Sequence, residues 1–433
     1  MSLIHKIKSY LLHNTSSKQT VIKNTFWLVL ADFVSKWSIA IITILIWRIF
    51  GKEIFGMYSY RWVILVFLLI FADLGLTTLL IRDYQHLDDT HKKHYLSQGL
   101  KTKGILSAVV SIAFLLILFL VTDNIMIRSI WLVLLCNGLA NSFLEYLRGT
   151  FRSLQRSEVE FKIKLTQWIG NLVLIPLIFI VWSIVPIIAV QALIVIITIW
   201  YAWKVIHTKQ ELSDKEVDGY WINKIELVKN GWAFAMSGLF VSMYYYIDSV
   251  IIQWYRGYEA VWVYNAAYRI LVIAIIPLGI FVNSAFPTLR SLYTERKEKF
   301  FADIRKYFIF IAILTVVAIP IWILISPWLL TFLYGSSYAD WIVILQVLLL
   351  SLAILYLNAI FAISLQATWN ERRYTYSTFV ALWCNVVLNI IFIPRYGGIA
   401  AAWATVVTEF VVSTLMSWYF YFRIYLPYVQ SKK

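Results

Sequence analysis

Ionisable side chains are scarce in this chain: Asp, Glu, Lys and Arg make up 14% of its 433 residues, while 61% are apolar. A soluble domain carries about 25% charged and about 45–50% apolar residues, so there is too little polar surface here to cover a water-facing core. The shortage excludes an ordinary soluble enzyme and fits an outer surface that meets lipid. Cysteine is scarcer still. Cys136 and Cys384 both lie inside apolar runs, which argues against a disulfide framework and against a metal site.

Several motifs are also missing. Without a G-x-x-x-x-G-K-[ST] loop the chain lacks that nucleotide cradle and is not expected to hydrolyse ATP. H-E-x-x-H is absent too; His86, His91 and His94 lie near Asp83, Asp88 and Asp89, and that cluster reads as a solvated loop. No cofactor and no catalytic residue are expected. The first 23 residues show no signal peptide. Leu3, Ile7, Tyr10 and Leu11 recur there at helical spacing, the pattern of a helix lying on the inner leaflet or of a frayed terminus. Long outer loops are lacking as well, which counts against a membrane glycosyltransferase, polymerase or ligase.

Long apolar runs are what the chain has in abundance. A helix crossing the hydrocarbon core needs about 20 such residues. Runs of that kind fall at 25–50, 54–80, 104–122, 129–149, 163–182, 185–204, 230–255, 260–287, 306–325, 340–365, 375–394 and 398–423. The expected fold is therefore an all-α polytopic membrane protein of about twelve transmembrane helices. The stretch from Pro327 to Gly335 is too short to span and reads as a capping turn. Aromatic residues reach 17%, and Trp27, Trp47, Trp131 and Trp203 sit near run ends, as interfacial anchors do.

The net charge of +15 raises the question of nucleic acid, which its distribution answers. Cytoplasmic loops carry the excess of Lys and Arg. With both termini inside, 30 of the 38 Lys and Arg fall on the inner side, and Arg48, Lys52, Arg128, Arg256 and Arg395 on the outer. A nucleic-acid binder would gather its charge on one face. Here it alternates from loop to loop, so the bias is topological.

The chain also resembles itself. Gly51-Lys-Glu53 with Tyr58 matches Gly257-Tyr-Glu259 with Tyr264, and Gly75 and Arg82 align with Gly279 and Arg290. Asn171 parallels Asn385. Two halves of six spans each share one orientation, with an N-terminal bundle at 1–205, a polar linker at 206–229 and a C-terminal bundle at 230–433. Parallel repeats of this kind place substrate between bundles and move by rocking. Pro176, Pro277 and Pro320 interrupt spans and would kink them.

Ionisable groups inside spans cost about 2.5–3.5 kcal/mol each on insertion scales and usually face a cavity or a partner. Asp32 and Lys36, four apart, share a helix face and read as either a self-neutralising pair or part of a binding site. Arg61 and Arg269 occupy similar depths in the second and eighth spans. Arginine's planar fork suits phosphate, so both are candidates for holding an anionic group; pairing with Asp73 or Asp248 is the alternative. Tyr264 and Tyr268, in a tyrosine-rich neighbourhood, suit sugar rings or interfacial anchoring. Asp248, Glu409 and Asp73 are candidates for binding a coupling proton or Na⁺. Salt bridges or interhelical hydrogen bonds are their plainer readings.

Several segments resemble the oligosaccharide flippases of the MOP exporter superfamily, the polysaccharide-biosynthesis branch often called Wzx or RfbX-like. Gly51-Lys-Glu-Ile-Phe-Gly56-Met-Tyr58 is similar to that family's first turn, followed by Ala72-Asp73-Leu-Gly75-Leu76 and Arg82. Leu154-Gln155-Arg156, Leu333-Tyr334-Gly335 with Tyr338-Ala339, Leu365-Gln366-Ala367 with Asn370 and Arg372, and Ile393-Pro394-Arg395-Tyr396-Gly397-Gly398 through Glu409 follow in the family's order. Lys52 stands where the family often has Pro.

The resemblance implies a MATE-like pair of six-helix bundles around a cationic cavity in the bacterial inner membrane. Its implied cargo is an undecaprenyl-pyrophosphate-linked oligosaccharide for O-antigen (lipopolysaccharide), capsule or exopolysaccharide. Lys36, Arg61 and Arg269, with Asp32, Tyr264 and Tyr268, are the candidate binding residues by position. The implied partners are the lipid-linked cargo, the bilayer and a polymerase of the same pathway, not nucleic acid. Two other readings compete: an ion-coupled drug/cation antiporter, which would favour acidic cavity walls, and a membrane enzyme of polysaccharide assembly.

Overall fold

Water is absent from a hydrocarbon core, so a crossing chain must satisfy its backbone polar groups internally, and a helix does so within each segment. The computed structural model is accordingly helical almost throughout; it describes residues 17–84, 87–181, 183–209, 223–334 and 342–431. In chain order the helices are α1 (Ser17–Asp73), α2 (Leu76–Asp83), α3 (Asp89–Val121), α4 (Ile125–Ser153), α5 (Ser157–Asn171), α6 (Leu174–Ile180) and α7 (Ile184–Lys209). After them come α8 (Lys224–Glu295), α9 (Lys297–Tyr334), α10 (Ile342–Ala367), α11 (Glu371–Tyr396), α12 (Gly398–Phe420) and α13 (Leu426–Gln430), with a π turn at Tyr421–Tyr425 before α13. The basic N-terminal segment and positions 210–222 of the expected linker lie outside the described residues, as does the Tyr338-Ala339 pair.

Ten helical segments among the described residues are long and apolar enough to cross a membrane. One of them, Lys224–Gly279, has 56 residues and is broken at Gly257, and a shorter apolar segment, Ile41–Gly51, precedes the break in α1. The chain is therefore a multi-pass membrane protein. Two compact units divide it: 1–54 with 61–242, and 55–60 with 243–433.

The internal repeat is written into the backbone. Gly51 has φ 80° and ψ 175°, and Gly257 has φ 78° and ψ −178°, so α1 and α8 break in the same way at the matched glycines. Side-chain-bearing residues pay about 1–3 kcal/mol to enter such sparsely populated regions. A Cβ at either position would meet no atom within 4 Å, so the cost is one of backbone conformation alone. Gly257→Ala is expected to lower stability by about that amount, read as the unfolding midpoint of the detergent-purified protein. An unchanged midpoint would show that the break relaxes freely.

A second repeated device ends α4 and α10. Gln155 (φ 55°) and Trp369 (φ 63°) both adopt left-handed conformations. In the first case Arg156 N–H donates to Phe151 O at 2.8 Å; in the second, Asn370 N–H donates to Leu365 O at 2.9 Å. This is the Schellman arrangement, which satisfies carbonyls left over at a helix end. The match is lost at Gly75 and Gly279: Gly75 (φ 74°) breaks the chain after α1, whereas Gly279 lies inside continuous α8. The span expected at 54–80 consequently stops at Asp73.

The capping turn expected at Pro327–Gly335 is instead helix as far as Tyr334. Pro327 cannot donate to the carbonyl four residues back, but Ser326 Oγ donates to that same Ile323 O at 2.8 Å. A hydroxyl replaces the lost backbone bond, which lets proline sit inside a membrane helix.

Packing separates inner from lipid-facing residues. In the first unit α4 packs on α7 and α2 on α4, burying Tyr84, Leu144, Phe151 and Ile163. In the second, α10 and α11 both pack on α12, with Leu365, Ala381, Val412 and Met416 at the core. α3 and α9, the third long runs of their halves, face outward; Leu120 is 87% and Leu324 78% exposed. Exposed leucine is stable there because the surroundings are as apolar as the side chain.

Candidate functional site

In the first unit, charge is matched over long sequence separations. Asp32 accepts from Lys164 Nζ on α5 at 2.7 Å; the side chain of Lys36 lies outside the described residues. Lys164 also reaches Glu160, 3.3 Å away, and Glu160 receives Arg152 at 2.5 Å. Arg152 continues to Glu145 at 2.7 Å, which also pairs with Arg148. Lys23 bonds Glu158 at 3.0 Å. These pairs tie α1, α4 and α5 together. Glu145 and Arg148 thus meet each other.

Farther along α1, Arg61 is 3% exposed, with its guanidinium 5.7 Å from the ring of Trp131 on α4. Asp73 accepts from Thr77 Oγ1 at 2.6 Å and pairs with Lys103 of α3. The Lys103 side chain is wholly buried between the rings of Phe143 and Tyr146. Lys103, not Arg61, is the cation the fold brings to Asp73.

The second unit holds an acidic cavity. α8 turns back on itself at Gly257, bringing Tyr244 and Asp248 on its first arm beside Tyr268 on its second; Ser351 and Leu355 of α10, Asn385 of α11 and Thr405 and Glu409 of α12 also line the cavity. The enclosed volume is ≈ 20 Å³, room for about one water-sized occupant. Asp248 is 2% exposed and accepts from Tyr264 Oη at 2.6 Å and Asn389 Nδ2 at 2.5 Å. Glu409, equally buried, accepts from Tyr244 Oη. Neither carboxyl has an ion pair among the described residues. Asn389 Oδ1 and Asn358 Oδ1 are buried acceptors with no hydrogen-bond partner among the described residues. The lining carries carboxyl, amide and hydroxyl oxygens and, among the described residues, no basic side chain, which suits a proton or a small cation.

Tyr264 is fully buried and stacks on Tyr268, ring centroids 5.7 Å apart. Its hydroxyl is committed to Asp248. Arg269 is half-buried, with its guanidinium 4.9 Å from the ring of Phe55, a residue of the same unit. The alternative reading of Asp248, a bridge to Arg269, is not what the fold forms: Tyr264 and Asn389 bond the carboxylate.

Sequence reading missed Lys103, Lys164 and Asn389. Asn385 and Asn389 were legible as two amides four apart within an apolar run, one helix face aimed inward. The two lysines had no local signal, because each sits near a basic loop where lysine is ordinary.

Known proteins share this architecture. The chain is 22% identical over 414 residues to "Capsular polysaccharide biosynthesis protein CapF" of Staphylococcus aureus, covering 94% of this chain and 100% of CapF. It superposes on the inward-facing conformation of a multidrug resistance MATE family transporter of the MOP superfamily with TM-score 0.72 at 15% identity, covering 98% of this chain and 99% of that one. The lipid II flippase MurJ in its inward closed conformation gives TM-score 0.69 at 16% identity, over 89% of this chain and 85% of that chain. At such identities these structures establish the fold. The family described as "Polysaccharide biosynthesis protein" matches residues 21–293, more than half of the sequence. With helices, repeat and fold all in agreement, the chain belongs to the polysaccharide biosynthesis protein family.

Proposed function

We propose that this protein is a flippase that carries a polyprenyl-pyrophosphate-linked oligosaccharide from the cytoplasmic to the outer leaflet of a bacterial inner membrane by alternating access. Twelve spans with both termini cytoplasmic make up the proposed topology. Capsule is the glycan to test first, since CapF is described as a capsular polysaccharide protein; O-antigen and exopolysaccharide are the other cargo classes. The observation that supports the reading is that Arg61 and Arg269 lie within apolar helices long enough to span, each against an aromatic ring. Ionisable groups within spans face a cavity or a partner and mark substrate pathways, and a pyrophosphate is an anion that must cross. Arg61, Arg269 and Lys36 are the proposed phosphate-binding cations.

An antiporter of drugs or organic cations is favoured by one feature, the acidic cavity. The cavity's ≈ 20 Å³ supports a water or an ion as its occupant rather than a drug. Asp248 and Glu409 instead become the proposed coupling pair. An ionised carboxylate buried without a cation is heavily penalised, so each takes up a proton or shares a small cation.

The test is made in a strain deleted for the gene. The lipid-linked repeat is expected to accumulate on the cytoplasmic leaflet, and the wild-type chain to restore its appearance outside. Asp248→Asn is expected to restore it weakly and without dependence on the ion gradient. Normal outer-leaflet delivery in the deletion strain would remove the flippase reading, and unchanged ion dependence would remove Asp248 from coupling.

A further inference from the structure

On the opposite side of α12 from the acidic cavity lies a groove of another kind. Leu388, Phe392 and Tyr396 line it from α11, and Ala400, Ala404 and Val407 from α12. Both sets recur at three- to four-residue spacing, so each is a single helix face. The two alanines create the hollow and Trp403 walls it. The volume is ≈ 380 Å³, within the range of about 300–1,000 Å³ typical of small-molecule pockets. The lining is almost wholly apolar. Phe392, Tyr396, Trp403 and Val407 are nonetheless 42–57% exposed, so the groove opens outward along its length.

The turn between α11 and α12, next to the groove, carries two arginines. Arg395, beside Tyr396, is exposed and forms no ion pair among the described residues. Arg256 lies against the same turn, its Nη2 donating to Arg395 O at 2.5 Å and its Nε to Ile393 O at 3.4 Å. These bonds cap the end of α11 and hold a second guanidinium at that turn. A hydrocarbon slot next to two arginines is complementary to an amphiphile with a long apolar chain and a multiply charged anionic head. Bidentate arginine contacts suit phosphate in particular.

We propose that this groove seats the chain of a polyprenyl pyrophosphate, with Arg395 and Arg256 holding its pyrophosphate. The proposal rests on the flippase reading and adds where the lipid part lies. In the proposed topology both arginines face the outer leaflet, so the groove is a delivery-side site. Ala404 faces the groove while the next residue, Thr405, faces the acidic cavity. A single helix therefore separates lipid from ion, and seating of one bears directly on the other.

The full chain, carrying benzoylphenylalanine in place of Phe392, is placed in phosphatidylcholine nanodiscs and illuminated with radiolabelled undecaprenyl pyrophosphate. Crosslinking of the probe is expected, displaced by unlabelled undecaprenyl pyrophosphate but not by excess phosphatidylglycerol. Arg395→Gln is expected to reduce crosslinking about tenfold, the loss of one charge-assisted contact. Ala404→Trp fills the slot and is expected to reduce it similarly. Should that variant fold poorly, the exposed Arg395→Gln decides alone. Equal displacement by phosphatidylglycerol would overturn the proposal in favour of any anionic phospholipid. Crosslinking to a second copy of the chain would overturn it in favour of helix packing through the Ala400–Ala404 face. No crosslink in a chain that restores outer-leaflet delivery refutes the groove alone. Failure of wild-type delivery, measured separately, refutes the flippase reading.

Discussion

Arg61→Ala combined with Arg269→Ala is expected to abolish polysaccharide export in a strain lacking its own flippase, with the variant still present in the membrane at normal levels. Each residue is proposed to supply charge-assisted hydrogen bonds to phosphate, worth about 1.5–3 kcal/mol apiece. Losing both weakens cargo binding on the order of a hundredfold or more. The aromatic neighbours support a fixed position: Arg61 lies beside Trp131 and Arg269 over Phe55, where a cation is held by the ring face. Arg269→Lys separates charge from shape. It keeps the charge but loses the planar fork, so partial export is expected. Arg61→Gln guards against a packing artefact, since the residue is buried. Full export by the double alanine variant would end the phosphate-binding role of both arginines.

Lys103→Ala is expected to be the most damaging single substitution for stability in the first unit. It removes a wholly buried cation and leaves Asp73 without its partner. Breaking a buried pair from one side costs about 3–5 kcal/mol; Asp73 keeps 21% of its side chain exposed, which points to the lower end of that range. Lys103→Met with Asp73→Asn removes both charges together and is expected to recover most of the loss, because no unpaired ion remains. The measurement is the unfolding midpoint in detergent. An unchanged midpoint for Lys103→Ala would show that the pair contributes nothing. The same double variant addresses Asp73 as a coupling candidate: recovered stability with lost ion dependence assigns it to coupling, and recovery of both assigns it to structure.

Reading the chain before its fold succeeded where the information is local. Apolar runs mark membrane helices because each residue in a span meets hydrocarbon whatever its tertiary neighbours are. Gly51 and Gly257 were legible as matched positions, and their shared backbone conformation shows why glycine stands at both. The turn expected at Pro327 failed for a tertiary-independent reason that sequence inspection overlooked, namely the hydroxyl of Ser326 one residue away. Asp248 and Glu409 stood out as carboxyls in apolar runs. That they line one ion-sized cavity did not, since they are 161 positions apart in the chain.

The order of residues by itself determined that this is a multi-pass helical membrane protein with matched glycines in its two halves and basic residues within its apolar runs. The spanning character follows from transfer of each segment into lipid, which depends on that segment's own composition, and the repeat from residues matched along the chain. Only the tertiary structure decided the partners: Lys164 for Asp32, Lys103 for Asp73, and Tyr264 with Asn389 for Asp248. Inside a bilayer a buried charge takes whichever complementary group packing brings within hydrogen-bond reach, and that choice is made by helices far apart in the chain.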